Sequence, residues 1–194
     1  MKSFFIKSCI ICLVLILCFG TLANAGEKEQ MDKSKSGFFA DYLSQWNEVE
    51  KKITDLAEAI PEDKYSWRPA EGVRSVKEVV AHIAGANYYL PSMIGVNSPA
   101  GQSEDMESII EKPEAIKALT ESFEHVRNAL KEMSDADLDK PAEFFGQKSD
   151  VRSMLFILSG HVHEHLGQLI AYARMNGVVP PWTAARQAKE KEEK

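Results

Sequence analysis

The sequence predicts an all-α protein built as a four-helix bundle. Apolar residues return at steps of three and four in four separate segments, which is the period of a helix. Prolines, glycines and a capping signature separate those segments, and no stretch alternates convincingly enough to read as a strand. No repeat of solenoid period runs through the chain.

The first segment stands apart from the bundle. Lys2 and Lys7 give a positive start, Ile10 to Phe19 is almost wholly apolar, and Ala23-Asn24-Ala25 supplies a small-x-small site. Residues 1–25 therefore read as a signal peptide cleaved before Gly26, which predicts an exported protein, periplasmic or extracellular, without a stable membrane anchor after cleavage. Cys9, Cys12 and Cys18 all fall in that segment. Disulfides, cysteine nucleophiles and thiolate metal ligands are thereby excluded from the mature chain. A net charge of −6 with no basic patch argues against nucleic acid as a partner.

Residues 26–36 are polar and read as a flexible lead-in. The bundle is expected over residues 37–182, with a charged tail over 183–194. Its first helix carries Phe38, Tyr42, Trp46, Val49, Ile53, Leu56 and Ile60 on one face and stops at Pro61. Ser75-Val76-Lys77-Glu78 is a capping box that opens a second helix, with Val79, Val80, Ile83 and Leu90 inward and a stop near Pro91. Pro91 to Lys112 reads as a long connection. A third helix starts around Pro113 and buries Ile116, Leu119, Phe123, Val126, Leu130 and Met133. Asp135 to Asp150 is turn-like. The fourth helix takes Met154, Leu158, His161, His165, Leu169 and Tyr172 as its stripe and ends at Asn176-Gly177.

Two of those stripe residues are the chemistry of the chain. His161 and His165 stand four apart, so one helix face presents both imidazoles, and His82 takes an apolar position in the second helix. A single inward histidine is usually a core residue satisfied by backbone or a carboxylate. Three need three partners in a low dielectric, which one divalent cation supplies together. Three imidazoles also leave coordination positions open for water or a small-molecule substrate, whereas a structural site is closed by four protein ligands. Gly85 and Ala86 beside His82 leave room for a ligand or, equally, for close helix packing. His125 and His163 lie off the stripes and read as surface residues.

Glu164 completes the string H-x-x-E-H, the inverted zinc-protease motif with glutamate as base. Such proteases take a third ligand from a distant downstream glutamate, and too little chain follows here. Glu164 remains a candidate base or ligand partner against the alternative of a solvated helix face. Gln168, three residues past His165, is a candidate to orient a ligand by hydrogen bonding. Trp67, Tyr88, Tyr89 and Trp182 are candidates to line a pocket, although such aromatics are more often packing.

Several segments together resemble the DinB-like superfamily of bacterial four-helix proteins. Pro61 to Pro69 resembles the family's link between its first two helices, and Ser75 to Ile83 resembles its second helix with one ligand. His161 to Gln168 resembles the H-x-x-x-H-x-G-Q segment with the other two, and Tyr172 to Pro181 resembles the segment that follows. The resemblance implies a divalent metal on His82, His161 and His165, and often a homodimer. It also implies either metal-dependent hydrolysis or transfer and isomerisation through a low-molecular-weight thiol. Export removes the chain from the usual thiol cofactors, which favours a hydrolase. Thiol S-transfer and a non-catalytic metal-binding scaffold are the alternatives. Zinc or nickel is the expected ion, among those that imidazole suits.

Overall fold

A computed structural model describes residues 37–99 and 111–193. The expected signal peptide and lead-in lie outside the described residues, as does part of the connection after the second helix. Four long helices form: α1 (Phe38–Ala59), α2 (Val76–Ser92), α3 (Lys112–Glu132) and α4 (Val151–Met175). Each begins within two residues of its sequence signal. The capping box of α2 is complete, with Ser75 Oγ accepting from the Glu78 amide and Glu78 accepting from the Ser75 amide at 2.6 Å. Gly177, at φ 76°, takes the left-handed conformation that stops α4.

Around the bundle α1 packs on α3 and α4, and α2 packs on those same two helices. Helix α2 thus meets α4 as well as α3, although α3 lies between α2 and α4 in sequence. This adjacency sets His82 of α2 against the histidines of α4. The core between the helices holds Phe39, Trp46, Ile53, Leu56, Ile83, Leu119, Phe123, Leu155 and Leu158, all essentially inaccessible to solvent. Full burial of each such side chain contributes about 1.5–3 kcal/mol against exposure.

Three expectations are corrected. The segment read as turn-like contains a β-hairpin, β1 (Pro141–Phe144) and β2 (Gln147–Asp150), joined at Phe145-Gly146, where both residues have positive φ. Its strands are only four residues long and largely polar, so no apolar alternation announces them. The region read as a charged tail is mostly helical, as α5 (Pro181–Glu192), which packs on α1. Pro181 in the first turn and a run of Ala, Arg, Gln, Lys and Glu favour helix on propensity alone, while only Thr183 of α5 is buried. The third correction concerns α4. Its core stripe runs through Leu158, Val162, Leu166 and Leu169, not through His161 and His165. One residue along a helix is a turn of about 100°, so the histidines sit at the stripe's edge, half-buried. Among the described residues no helix is long and apolar enough to cross a membrane.

Candidate metal centre

Helix α2 is buried on nearly all sides. Lys77, Glu78, His82, Tyr89 and Ser92 alone among its residues escape full burial. The small residues Ala81, Ala84, Gly85 and Ala86 are buried, consistent with close packing of α2 against its neighbours α3 and α4. His82 therefore opens toward the groove beside α4, where His161 and His165 stand one turn apart. Among the described residues these three form the one cluster able to hold a metal ion, with a ligand atom from each lying within 4.8 Å of the others. The ring centroids are 4.5 Å apart for His161 and His165, 4.8 Å for His82 and His165, and 5.0 Å for His82 and His161.

The protonation of His165 follows from a backbone carbonyl nearly a hundred residues away. The Arg74 carbonyl can only accept, so the Tyr172 hydroxyl donates to it at 3.1 Å. Tyr172 oxygen then accepts from the Gln168 amide nitrogen at 2.8 Å. That orients the amide oxygen toward His165, whose Nδ1 lies 2.8 Å away and must be the donor. The proton is on Nδ1, and Nε2 keeps its lone pair. This is the tautomer a metal-ligating histidine requires, fixed by the type of outer partner such ligands have. Trp67 meets the Tyr172 ring edge-on at 5.3 Å and holds the far end of the chain.

His161 is held differently. Its Nε2 lies 3.0 Å from His82 Nε2, and its Nδ1 is buried without a hydrogen-bond partner among the described residues. Two imidazole nitrogens at that distance either share one proton or turn their lone pairs on each other. A tetrahedral cation with bonds of about 2.0–2.1 Å sets its ligand nitrogens roughly 3.3 Å apart, close to the spacing found. Burial pushes the His161 pKa down to about 4, helped by the nearby His165, His82 and Arg74. Burial also lowers the His165 pKa, opposed by its hydrogen bond to Gln168. Both imidazoles are therefore neutral at pH 7 and able to donate lone pairs. The donor set, the locked tautomer and the spacing fit a divalent cation.

The other sequence candidates fall in different places. Glu164 is exposed on α4 and outside the histidine cluster, though His165 feels its charge. His163 is exposed and bonds to the Ser159 carbonyl at 2.8 Å. His125 is half-buried rather than exposed: it lies against Tyr88, with ring centroids 5.1 Å apart, and its Nε2 has no hydrogen-bond partner among the described residues. The periodicity of α3 gave it no inward position because it sits beside Val126, at the stripe's edge. Tyr88 packs there, Tyr89 lies near Phe145 and Trp182 against the core, so of the four aromatics it is Trp67 that adjoins the centre. Two contributors went unread in the sequence. Tyr172 is an α4 neighbour of Gln168 at i,i+4, a legible signal masked by its place on the apolar stripe. Arg74 lies in the loop before α2, where no local pattern marks it.

Comparison with known proteins agrees with this architecture. The uncharacterized protein YjoA of Bacillus subtilis (strain 168) is 29% identical over 127 residues, which span 63% of this chain and 80% of YjoA. The crystal structure of a DinB-like protein from Bacillus cereus ATCC 10987 superposes with a TM-score of 0.66 at 20% identity, covering 72% of this chain and 93% of that one. YfiT from Bacillus subtilis, described as a probable metal-dependent hydrolase with an unusual four-helix bundle topology, gives a TM-score of 0.56 at 15% identity over 80% of this chain and 93% of its own. The DinB superfamily profile matches residues 45–169, a span that runs from within α1 to within α4 and takes in all three clustered histidines. The chain belongs to the DinB superfamily.

Proposed function

We propose that the protein is an exported metal-dependent hydrolase acting on a small molecule, with His82, His161 and His165 as its metal ligands. The observation that carries this reading is the locked tautomer of His165 beside the neutral imidazole of His161 and the ring of His82 at a half-buried edge of the bundle. A site meant only for packing has no need of three imidazoles whose nitrogens converge on one point. The description of the structurally similar YfiT as a probable metal-dependent hydrolase points the same way.

A bound divalent cation, zinc or nickel, supplies Lewis acidity and lowers the pKa of water. The chain's own residues do the rest. Gln168 and Tyr172 hold the His165 ring in place, and the buried walls of α2 and α4 keep solvent from one side of the centre. The half exposure of the histidines leaves the other side open to a substrate. Glu164, exposed on the outer turn of α4, is the carboxylate available to carry a proton to and from solvent. Export is supported by Lys2, Lys7, the apolar run Ile10 to Phe19 and the Ala23-Asn24-Ala25 site. A homodimer is part of the same proposal.

The test is elemental mass spectrometry on protein recovered without a histidine tag, beside His161→Ala. About one zinc or nickel per chain in the parent and none in the variant is the expected result, with ester or amide hydrolysis lost alongside the metal. Protein that carries no metal and takes up neither added zinc nor nickel overturns the reading. N-terminal sequencing of the exported product is expected to begin at Gly26.

A further inference from the structure

The turn of the hairpin carries an unusual residue for its conformation. Phe145 has φ 48° and Gly146 φ 80°, the two-residue geometry that hairpins ordinarily fill with Asn-Gly or Asp-Gly. Among the described residues Phe145 alone, glycines aside, has a positive φ, and a bulky side chain is strained there. Burial does not offset the strain, because Phe145 is 71% exposed. Neither backbone preference nor packing therefore accounts for a phenylalanine at the tip.

Its neighbours are aromatic. Ring centroids put Phe145 4.6 Å from Phe144 and 6.4 Å from Tyr89, so three rings gather at one place. Tyr89 follows His82 by seven residues, two helical turns, and therefore shares its face of α2. Both are half-buried, whereas every residue between them is buried. The two helices run antiparallel, since Arg74 meets Tyr172 and His82 meets His161. The step from His82 to Tyr89 thus leads toward the start of α4, which β2 enters directly at Asp150-Val151. At the helical rise, the rings stand about 10 Å along the axis from His82.

The size of the patch limits what it can hold. One aromatic side chain buries about 150–250 Å² at most, and Phe144 and Tyr89 are already half-buried. A stable protein interface takes about 800 Å² from each partner. A small apolar group fits this patch, and a second chain does not. We propose that Phe145, with Phe144 and Tyr89, seats an aromatic ring of the substrate, so that the substrate class is an ester or amide with an aryl group about 10 Å from its reacting bond. The proposal deepens the metal-dependent reading and rests on it for the position of the reacting bond, while the aromatic seat is a property of the hairpin and α2.

Two probes separate the two claims. Phenylhexanohydroxamic acid carries a metal-binding head and a terminal ring at about that reach, and hexanohydroxamic acid lacks the ring. Calorimetric titration of zinc-loaded protein is expected to show the ring-bearing probe binding roughly tenfold more tightly. Phe145→Asn places in the turn a residue that favours it, and is expected to erase that gain while zinc content and affinity for the ringless probe persist. Phe145→Tyr is expected to keep the gain. A ring preference that survives in Phe145→Asn, or none in the parent, overturns the aromatic seat and leaves the metal reading standing. Failure of both hydroxamates to bind in a zinc-dependent way overturns the metal reading instead. In that case metal-free protein titrated with phenylpropanol decides the seat: saturable shifts of the Phe145 and Gly146 amide resonances support it, and their absence refutes it.

Discussion

Replacing Gln168 by alanine tests whether the hydrogen-bonded chain from His165 to Arg74 governs metal affinity. The substitution removes the acceptor of the His165 Nδ1 proton, at 2.8 Å, and leaves a half-buried N–H to find water. An orphaned buried donor costs about 1–3 kcal/mol, and half exposure favours the lower part of that range. The His165 ring also loses the restraint that aims Nε2 inward. Outer partners of metal-bound histidines are typically worth about 10–100-fold in affinity, or roughly 1.4–2.7 kcal/mol, which matches the estimate from the lost bond. Competition for zinc against a chromophoric chelator at pH 7.5 measures the change directly. Tyr172→Phe, which leaves the Gln168 oxygen in place but frees its amide to turn, is expected to weaken binding only about fivefold. Gln168→Glu keeps an acceptor at the same position and is expected to restore affinity to the parent's value or beyond. Parent-like zinc affinity in Gln168→Ala, within about twofold, refutes the role assigned to the chain.

Other perturbations follow from the same geometry. The folded-state pKa of His161, about 4, lies below the unfolded value of ~6.5, so the unfolded chain binds more protons in that window. Stability of the metal-free protein is therefore full above pH ~6.5 and declines as the pH falls toward 4; a urea midpoint unchanged across that range would contradict this. The Asn87 amide donates to Ser122 Oγ at 3.1 Å inside the core between α2 and α3. Ser122→Ala is expected to cost about 1–3 kcal/mol by stranding Asn87, whereas Asn87→Leu combined with Ser122→Ala costs less than that single change in denaturant unfolding. Ser75→Ala removes the capping hydroxyl of α2 and is expected to lower stability by about 1 kcal/mol with zinc stoichiometry retained.

The four long helices were legible because burial writes a period into the chain. Phe39, Tyr42, Trp46, Val49, Ile53 and Leu56 are buried in α1, most of them the residues its spacing marks. The same logic misplaced His161 and His165, because two stripes one residue apart on α4 share the helical period. Only packing against α2 decides that Val162 and Leu166 face the core. Propensity without burial was equally hard to read, and α5 is a helix whose exposed, charged face carries no stripe. The hairpin β1–β2 was hidden because its pairing is satisfied by backbone rather than by apolar alternation. At the centre, His165 and Gln168 were visible as neighbours on one helix. The Arg74 carbonyl was not, since it reaches the site through a contact spanning 98 positions in sequence.

The edge position of the histidines lets one fold combine a closed core with an accessible cluster of imidazoles. Had His161 and His165 occupied the core stripe, their rings would need full desolvation, and any bound ion would be closed off from substrate. Had they lain another residue outward, solvent would favour their charged forms and compete for the proton that Gln168 fixes. One residue off the stripe, Val162 and Leu166 keep the apolar seam intact while the imidazoles stay neutral and half open. The crossing of α2 onto α4 then supplies the third nitrogen from a helix almost wholly buried, and therefore rigid. The loop before α2 completes the arrangement, because its backbone ties down Tyr172 while its Arg74 side chain carries a charge that acts on His161 and His165. A change in that loop is thus expected to reach the centre by two separate routes. The Arg74→Gln variant alters charge and spares the carbonyl, whereas Tyr172→Phe breaks the tie and spares the charge. A weaker pH dependence of unfolding in Arg74→Gln with zinc affinity retained, against weakened zinc affinity in Tyr172→Phe, would separate the routes; matching effects would mean that the loop moves as one body.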